Sequence, residues 1–156
     1  MTLVAALKIH DTPVILGDVL ITHSANNQRL LPTRPDLPSM LSSGRGIAGS
    51  RRKLSLINEQ FIVGFSGAVA AGTILLKDLY RRFSQKTPSF DELNFALRLL
   101  NIQLQSYGGA ELLGWVCEGE PRCFEWKATP GSSLVRLDRA VHGSGTAHFE
   151  AISKSG

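Results

Sequence analysis

At 156 residues, with 43% hydrophobic and 19% charged, the chain has the size and composition of one ordinary globular domain with a real core, which excludes a disordered or fibrous protein. The formal charge of +4 is modest and gathers partly in Arg45, Arg51, Arg52 and Lys53, a run that suits a solvated loop as well as a binding patch, so nucleic acid is not indicated. Cys117 and Cys123 are too few for a disulfide framework and lack a paired zinc-ligand motif, so both read as reduced thiols of the core or its edge.

The first apolar stretch, Leu3 to Ile9, is broken by Lys8, His10 and Asp11 and has no basic leader. It reads as a strand rather than a signal peptide or membrane span, and a cytoplasmic protein is expected. Val14 to Thr22 is a second β-type run, and His10-Asp11-Thr12-Pro13 between them is a turn signal, predicting a hairpin that sets residue 2 and Asp18 on adjacent strands. From 23 to 52 the pattern dissolves into Pro32, Pro35, Pro38 and many Ser and Gly, which predicts a long loop inside a single domain over 1–156. Lys53 to Ile57 and Phe61 to Ser66 form a second predicted hairpin across Asn58-Glu59.

Apolar residues then recur at helical spacing through Val69, Thr73, Leu76, Leu79, Tyr80 and Phe83, predicting a helix from about Ala68 to Gln85. Ser89-Phe90-Asp91-Glu92 has the form of a capping box and opens a second helix, which runs through Leu93, Ala96, Leu97, Leu100 and Leu104 to the stop at Gly108-Gly109. Glu111 to Glu118, Arg122 to Ala128 and Ser133 to Leu137 read as a meander with turns at Gly119-Glu120-Pro121 and Thr129-Pro130-Gly131, and with Trp115 and Trp126 as its core aromatics. The order of strands, two helices and strands again is that of an α+β fold with segregated layers.

Thr2 is the chemically distinctive position. Removal of Met1 would give it a free α-amine, a base that titrates near neutrality, beside its own hydroxyl, a nucleophile. Asp18 follows Val14-Ile15-Leu16-Gly17, Lys53 opens a strand, Gly64-Phe65-Ser66-Gly67 precedes a helix, and Gly143-Ser144-Gly145 is a glycine-flanked turn. Each of these has an ordinary structural explanation; in order and on these elements, they suit amide hydrolysis.

In these motifs, from Thr2 to about Phe149, the chain resembles the proteasome β-subunit and bacterial proteasome-like peptidase family of N-terminal-nucleophile hydrolases. The resemblance implies a four-layer sandwich, two antiparallel sheets between helical layers, and an assembly into a homo-oligomeric ring with an ATP-driven unfolding partner. It implies that Thr2 Oγ attacks a peptide carbonyl while its amine accepts the proton, that Lys53 beside it favours the neutral amine, and that Asp18 keeps Lys53 protonated and oriented. The Gly67 N–H would face the oxyanion, and Ser144 would order the amine or the hydrolytic water. Ile21, Phe65 and Val69 fall on substrate-pocket positions, as do Arg51 and Thr73. No metal or organic cofactor is required, and peptides or unfolded proteins are the implied substrates.

The chain departs from the family pattern in three respects. Leu20 stands where many members carry arginine, the segment between Asp18 and Lys53 is longer than usual, and the sequence ends soon after Ser144, as in a C-terminally incomplete member. An alternative keeps the fold without the activity: a structural or assembly subunit that retains Met1. A second alternative, Gly44-Arg45-Gly46-Ile47-Ala48-Gly49, matches the dinucleotide fingerprint but follows a Pro-rich stretch and leads into Ser50-Arg51-Arg52-Lys53, so it reads as a flexible basic loop.

Overall fold

The computed structural model describes residues 3–10, 12–18, 20–24, 45–50, 53–143 and 146, with the backbone alone for 20–24 and 45–50. In chain order its elements are β1 (Val4–Ile9), β2 (Thr12–Gly17), β3 (Leu20–Ser24), β4 (Arg45–Ser50), β5 (Leu54–Asn58), β6 (Phe61–Gly67), α1 (Val69–Phe83), α2 (Phe90–Ser106), β7 (Ala110–Glu118), β8 (Glu120–Lys127), β9 (Val135–Leu137) and β10 (Ala140–His142). A five-stranded antiparallel sheet has the order β5-β6-β7-β8-β9, a three-stranded one the order β10-β1-β2, and β3 pairs with β4.

Strand alternation decides where each face goes. On β6, Phe61, Val63 and Phe65 turn toward the helices and join Leu75 and Leu79 of α1, Leu93, Leu97 and Leu104 of α2, and Phe124 and Trp126 of β8. Burying each such side chain is worth roughly 1.5–3 kcal/mol, so this is the main source of stability. The opposite face presents Leu113, Trp115 and Cys123, which meet Val4, Ala6 and Ala140 of the three-stranded sheet. Trp115 Nε1 donates to Val14 O at 3.0 Å, tying the two sheets together. The layers are therefore helix pair, five-stranded sheet and three-stranded sheet, an α+β sandwich.

Two glycines set the spacing of these layers. A Cβ on Gly64 would lie 2.4 Å from Val4 Cγ1, where the sheets touch, and one on Gly72 of α1 would lie 2.1 Å from the Phe65 ring. Ser89 caps α2 as its sequence predicts: its side chain accepts from Glu92 N–H while the Glu92 carboxylate accepts from Ser89 N–H. Lys86 beside Glu92, with the Ser89 backbone N–H, holds that carboxyl below the usual range.

Several expectations need correcting. Val14 to Thr22 is not one strand: β2 ends at Gly17 and β3 belongs to a different sheet, because Asp18 turns its carboxylate back onto Leu3 and Lys53. Within the segment 23–52 the chain forms β4 over Arg45–Ser50, so most of the glycine fingerprint lies in a strand paired with β3 and not in a flexible loop. At the β7–β8 turn Gly119 alone, at φ +81°, makes the reversal, and Pro121 is already paired opposite Cys117. The short strand β10 was not anticipated, yet it completes the three-stranded sheet. Both cysteines are free, Cys123 buried and Cys117 partly so. Among the described residues no helix is long and apolar enough to cross a membrane.

Candidate active site

Two sequence-predicted residues, Asp18 and Lys53, meet at one end of the sandwich. Lys53, just before β5, is only 5% exposed, and its carbonyl accepts from Phe65 N–H at 3.1 Å. Its ammonium makes a direct ion pair with Asp18 Oδ1. The other carboxylate oxygen, Oδ2, accepts the Leu3 N–H at 2.9 Å, and Asp18 N–H donates to Leu3 O at 2.9 Å. One carboxylate thus joins a buried cation to the backbone next to position 2. A buried ammonium needs such a partner, since desolvation alone would strongly disfavour it.

Gly67 ends β6 on the neighbouring strand at φ +100°, a left-handed conformation that excludes most side chains, and a Cβ there would approach Gly109 O to 3.0 Å. Along an antiparallel strand successive N–H groups point to opposite edges. Phe65 N–H reaches Lys53 O, so two residues on the alternation directs Gly67 N–H to the same β5 edge, where Lys53 lies.

The three-stranded sheet supplies the other flank. Val4 pairs with Gly17 on one side and His142 on the other, so β1 runs between the strand leading to Asp18 and the strand leading to Gly143. Thr146 N–H and Oγ1 both donate to Gly143 O, at 3.2 and 2.7 Å. Thr2, Ser144 and Arg51 lie outside the described residues, and Ile21 is described only as backbone, opposite Gly49 in the β3–β4 pair. Phe65 is 2% exposed in the helix-side core, Val69 is half-buried in the first turn of α1, and Thr73 Oγ1 bonds back to Val69 O at 2.7 Å.

Sequence reasoning missed a second polar cluster on the β7 side of Gly67. His142 is 6% exposed; its Nε2 lies 2.8 Å from Glu125 Oε2, and its Nδ1 lies 3.4 Å from Glu111 Oε2 without making a hydrogen bond. Ser66 Oγ donates to Glu111 Oε2 at 3.0 Å, and Lys127 Nζ is 3.5 Å from Glu111 Oε1. The available signal was alternation: Glu111 shares a face with Leu113 and Trp115, and Glu125 with Cys123, so both carboxylates sit on strand faces that turn inward. Beside the cluster lies a cavity of about 480 Å³.

No protein-family model matches the sequence, and no curated protein matches it. Among solved structures the chain is similar to eukaryotic HslV from Trypanosoma brucei, at 20% identity and a TM-score of 0.56, over 99% of this chain and 78% of that one. Stacked antiparallel sheets with a helix pair outside, matched over nearly all of the chain, are thus a fold shared with that HslV.

Proposed function

We propose that the protein is a threonine-type peptidase acting on peptides or unfolded proteins, with Thr2 as nucleophile once Met1 is removed. The observation that carries this reading is the Asp18 carboxylate, bonded at once to the Lys53 ammonium and to the N–H of Leu3, the residue covalently next to Thr2.

In the first step Thr2 Oγ bonds to the substrate carbonyl carbon while the Thr2 amine takes the hydroxyl proton. Negative charge gathers on the carbonyl oxygen, for which Gly67 N–H is the proposed donor. The tetrahedral species collapses to an ester as the amide C–N bond breaks and the proton passes to the leaving amine. Water, deprotonated by the same amine, then releases the acid and restores Thr2. Lys53 holds positive charge beside the amine throughout, which favours its neutral, basic form, and Asp18 orients Lys53. Ile21, Phe65 and Val69 belong to this reading as the acyl-side pocket, Phe65 contributing from below the surface.

Assembly into a homo-oligomeric ring and service by an ATP-driven unfoldase belong to the same proposal. Phe95, Leu99 and Ile102 form an exposed apolar stripe on α2 that suits burial between copies.

Two measurements test the reading. Intact mass of the purified protein should show Met1 lost; full retention would leave the amine blocked and favour the structural-subunit alternative. Thr2→Ala should abolish hydrolysis of peptide reporters with thermal stability kept; undiminished turnover removes Thr2 from the chemistry.

A further inference from the structure

The cavity of about 480 Å³ lies at the end of the sandwich between Gly67 and Gly143, with Gly109, Ser66, Glu111 and Lys127 among the residues of its wall. It lies on the β7–β8 flank of Gly67, opposite the β5 flank where Lys53 stands. Gly109, at φ +74°, and Gly143, at φ +106°, line the cavity and carry no side chains of their own there. Among the described residues only two charged groups line the space, Glu111 and Lys127.

Those two charges are not equivalent. Glu111 is anchored through Oε2 by the Ser66 hydroxyl at 3.0 Å, with the buried His142 ring 3.4 Å behind it and Glu125 holding that ring from its far side at 2.8 Å. Lys127 is 47% exposed and reaches Glu111 only at 3.5 Å. An ion pair so long and so exposed contributes little, and its lysine can swing into water at small cost. The fixed partner is the carboxylate. His142 Nδ1, buried and without a hydrogen bond, faces the same carboxylate, so Glu111 sits in a built polar setting and not on an open surface.

We infer that this cavity is the subsite for the substrate residue on the leaving side of the cleaved bond, and that Glu111 selects lysine or arginine there. The naming of the subsite rests on the peptidase reading, in which the acyl half lies toward Val69 and the other flank of Gly67 is left for the leaving half. Recognition of a cationic side chain by Glu111 follows from the cavity itself. The incoming ammonium or guanidinium takes Glu111 Oε1 from Lys127, while Ser66 keeps Oε2 in place.

The test separates binding from turnover. Fluorescent alanine-based hexapeptides carrying Lys, Arg, Leu or Glu at each position in turn are titrated against Thr2→Ala protein, so that no probe is consumed. At one position Lys and Arg should bind about tenfold tighter than Glu, the scale of one partly exposed charge-assisted hydrogen bond. Glu111→Gln should level the series, and Lys127→Ala, at an exposed position with little bearing on folding, should tighten the cationic peptides. Equal binding across the series, a preference that survives Glu111→Gln, or weaker cationic binding in Lys127→Ala would overturn the inference. Hydrolysis by the native protein without this preference sinks the subsite and spares the peptidase. The preference without hydrolysis keeps the site and sinks the peptidase.

Discussion

Asp18 and Lys53, thirty-five positions apart in sequence, form an ion pair in which the lysine is 5% and the aspartate 21% exposed. The same carboxylate closes the start of β1 through Leu3 N–H. Asp18→Asn withdraws the negative charge from a buried ammonium, a change that costs about 3 kcal/mol in comparable pairs. Urea denaturation should show that loss, and peptide hydrolysis should fall with it. A variant of native stability would mean that the pair does not hold this end of the sandwich together.

At Gly67 a side chain would have to accept φ +100° and a contact of 3.0 Å with Gly109 O. Gly67→Ala is expected to lose about 1–3 kcal/mol, the usual cost of a strained backbone. Beyond that, it should depress turnover more than substrate affinity, because the displaced N–H is the proposed oxyanion donor. Steady-state kinetics on the folded fraction would show kcat falling with KM nearly constant.

Gly72 sets two effects against each other. Alanine in a helix interior is worth about 1 kcal/mol over glycine, but a Cβ here would sit 2.1 Å from the ring of Phe65, which is 2% exposed and has nowhere to move. Overpacking of this kind costs about 1–3 kcal/mol, so Gly72→Ala should lower the melting temperature despite its better propensity. Adding Phe65→Leu should recover much of the loss, and thermal melts of the single and double variants would read the coupling.

Burial, with Glu125 nearby, pushes the Cys123 thiol up to about 12. Its thiolate is the nucleophilic form, so iodoacetamide at pH 8 should modify Cys117 while Cys123 reacts only after unfolding. Mass mapping of the alkylated protein checks this. The linkage has a definite sign. The folded value lies above the ordinary value of 9.0, so this contribution to stability is complete below pH 9 and is lost as pH climbs toward 12. Cys123→Ser should flatten stability over that alkaline window.

Local signals carried much of the fold. The capping box at Ser89 and Glu92, the 3.6-residue spacing from Val69 to Phe83 and the glycine stops are contacts between near neighbours, so the residues that make them lie side by side in the chain. The second hairpin was legible for the same reason, and the first in outline, although Thr12 and Pro13 belong to β2 and not to the turn. Where local reasoning failed, distant partners decided the outcome. Asp18 ends β2 by turning to residues 15 and 35 positions away, and β4 exists because β3 pairs with it. Three-residue β10 has no signature of its own and is a strand only because Val4, Ala5 and Ala6 offer an edge.

The site divides in the same way. Order and residue type along the chain suggested Asp18, Lys53 and Gly67 through the family resemblance, and the fold brings the first two into a direct ion pair. The Ser66, Glu111, Glu125, Lys127 and His142 cluster could not be assembled from sequence. Its members come from four strands of two sheets, and only the stacking of those sheets converts inward-facing polar residues, each unremarkable alone, into one anchored carboxylate beside a cavity. Sequence determined where the helices and most strands would form, since helical period and alternation are properties of the chain itself. The buried face of α1, however, is Ala71, Gly72, Leu75, Asp78, Leu79 and Phe83, so that of the stripe read from spacing only Leu79 and Phe83 are buried. Which polar groups would share a burial site was decided by packing, since desolvated charges must find partners wherever the fold brings them.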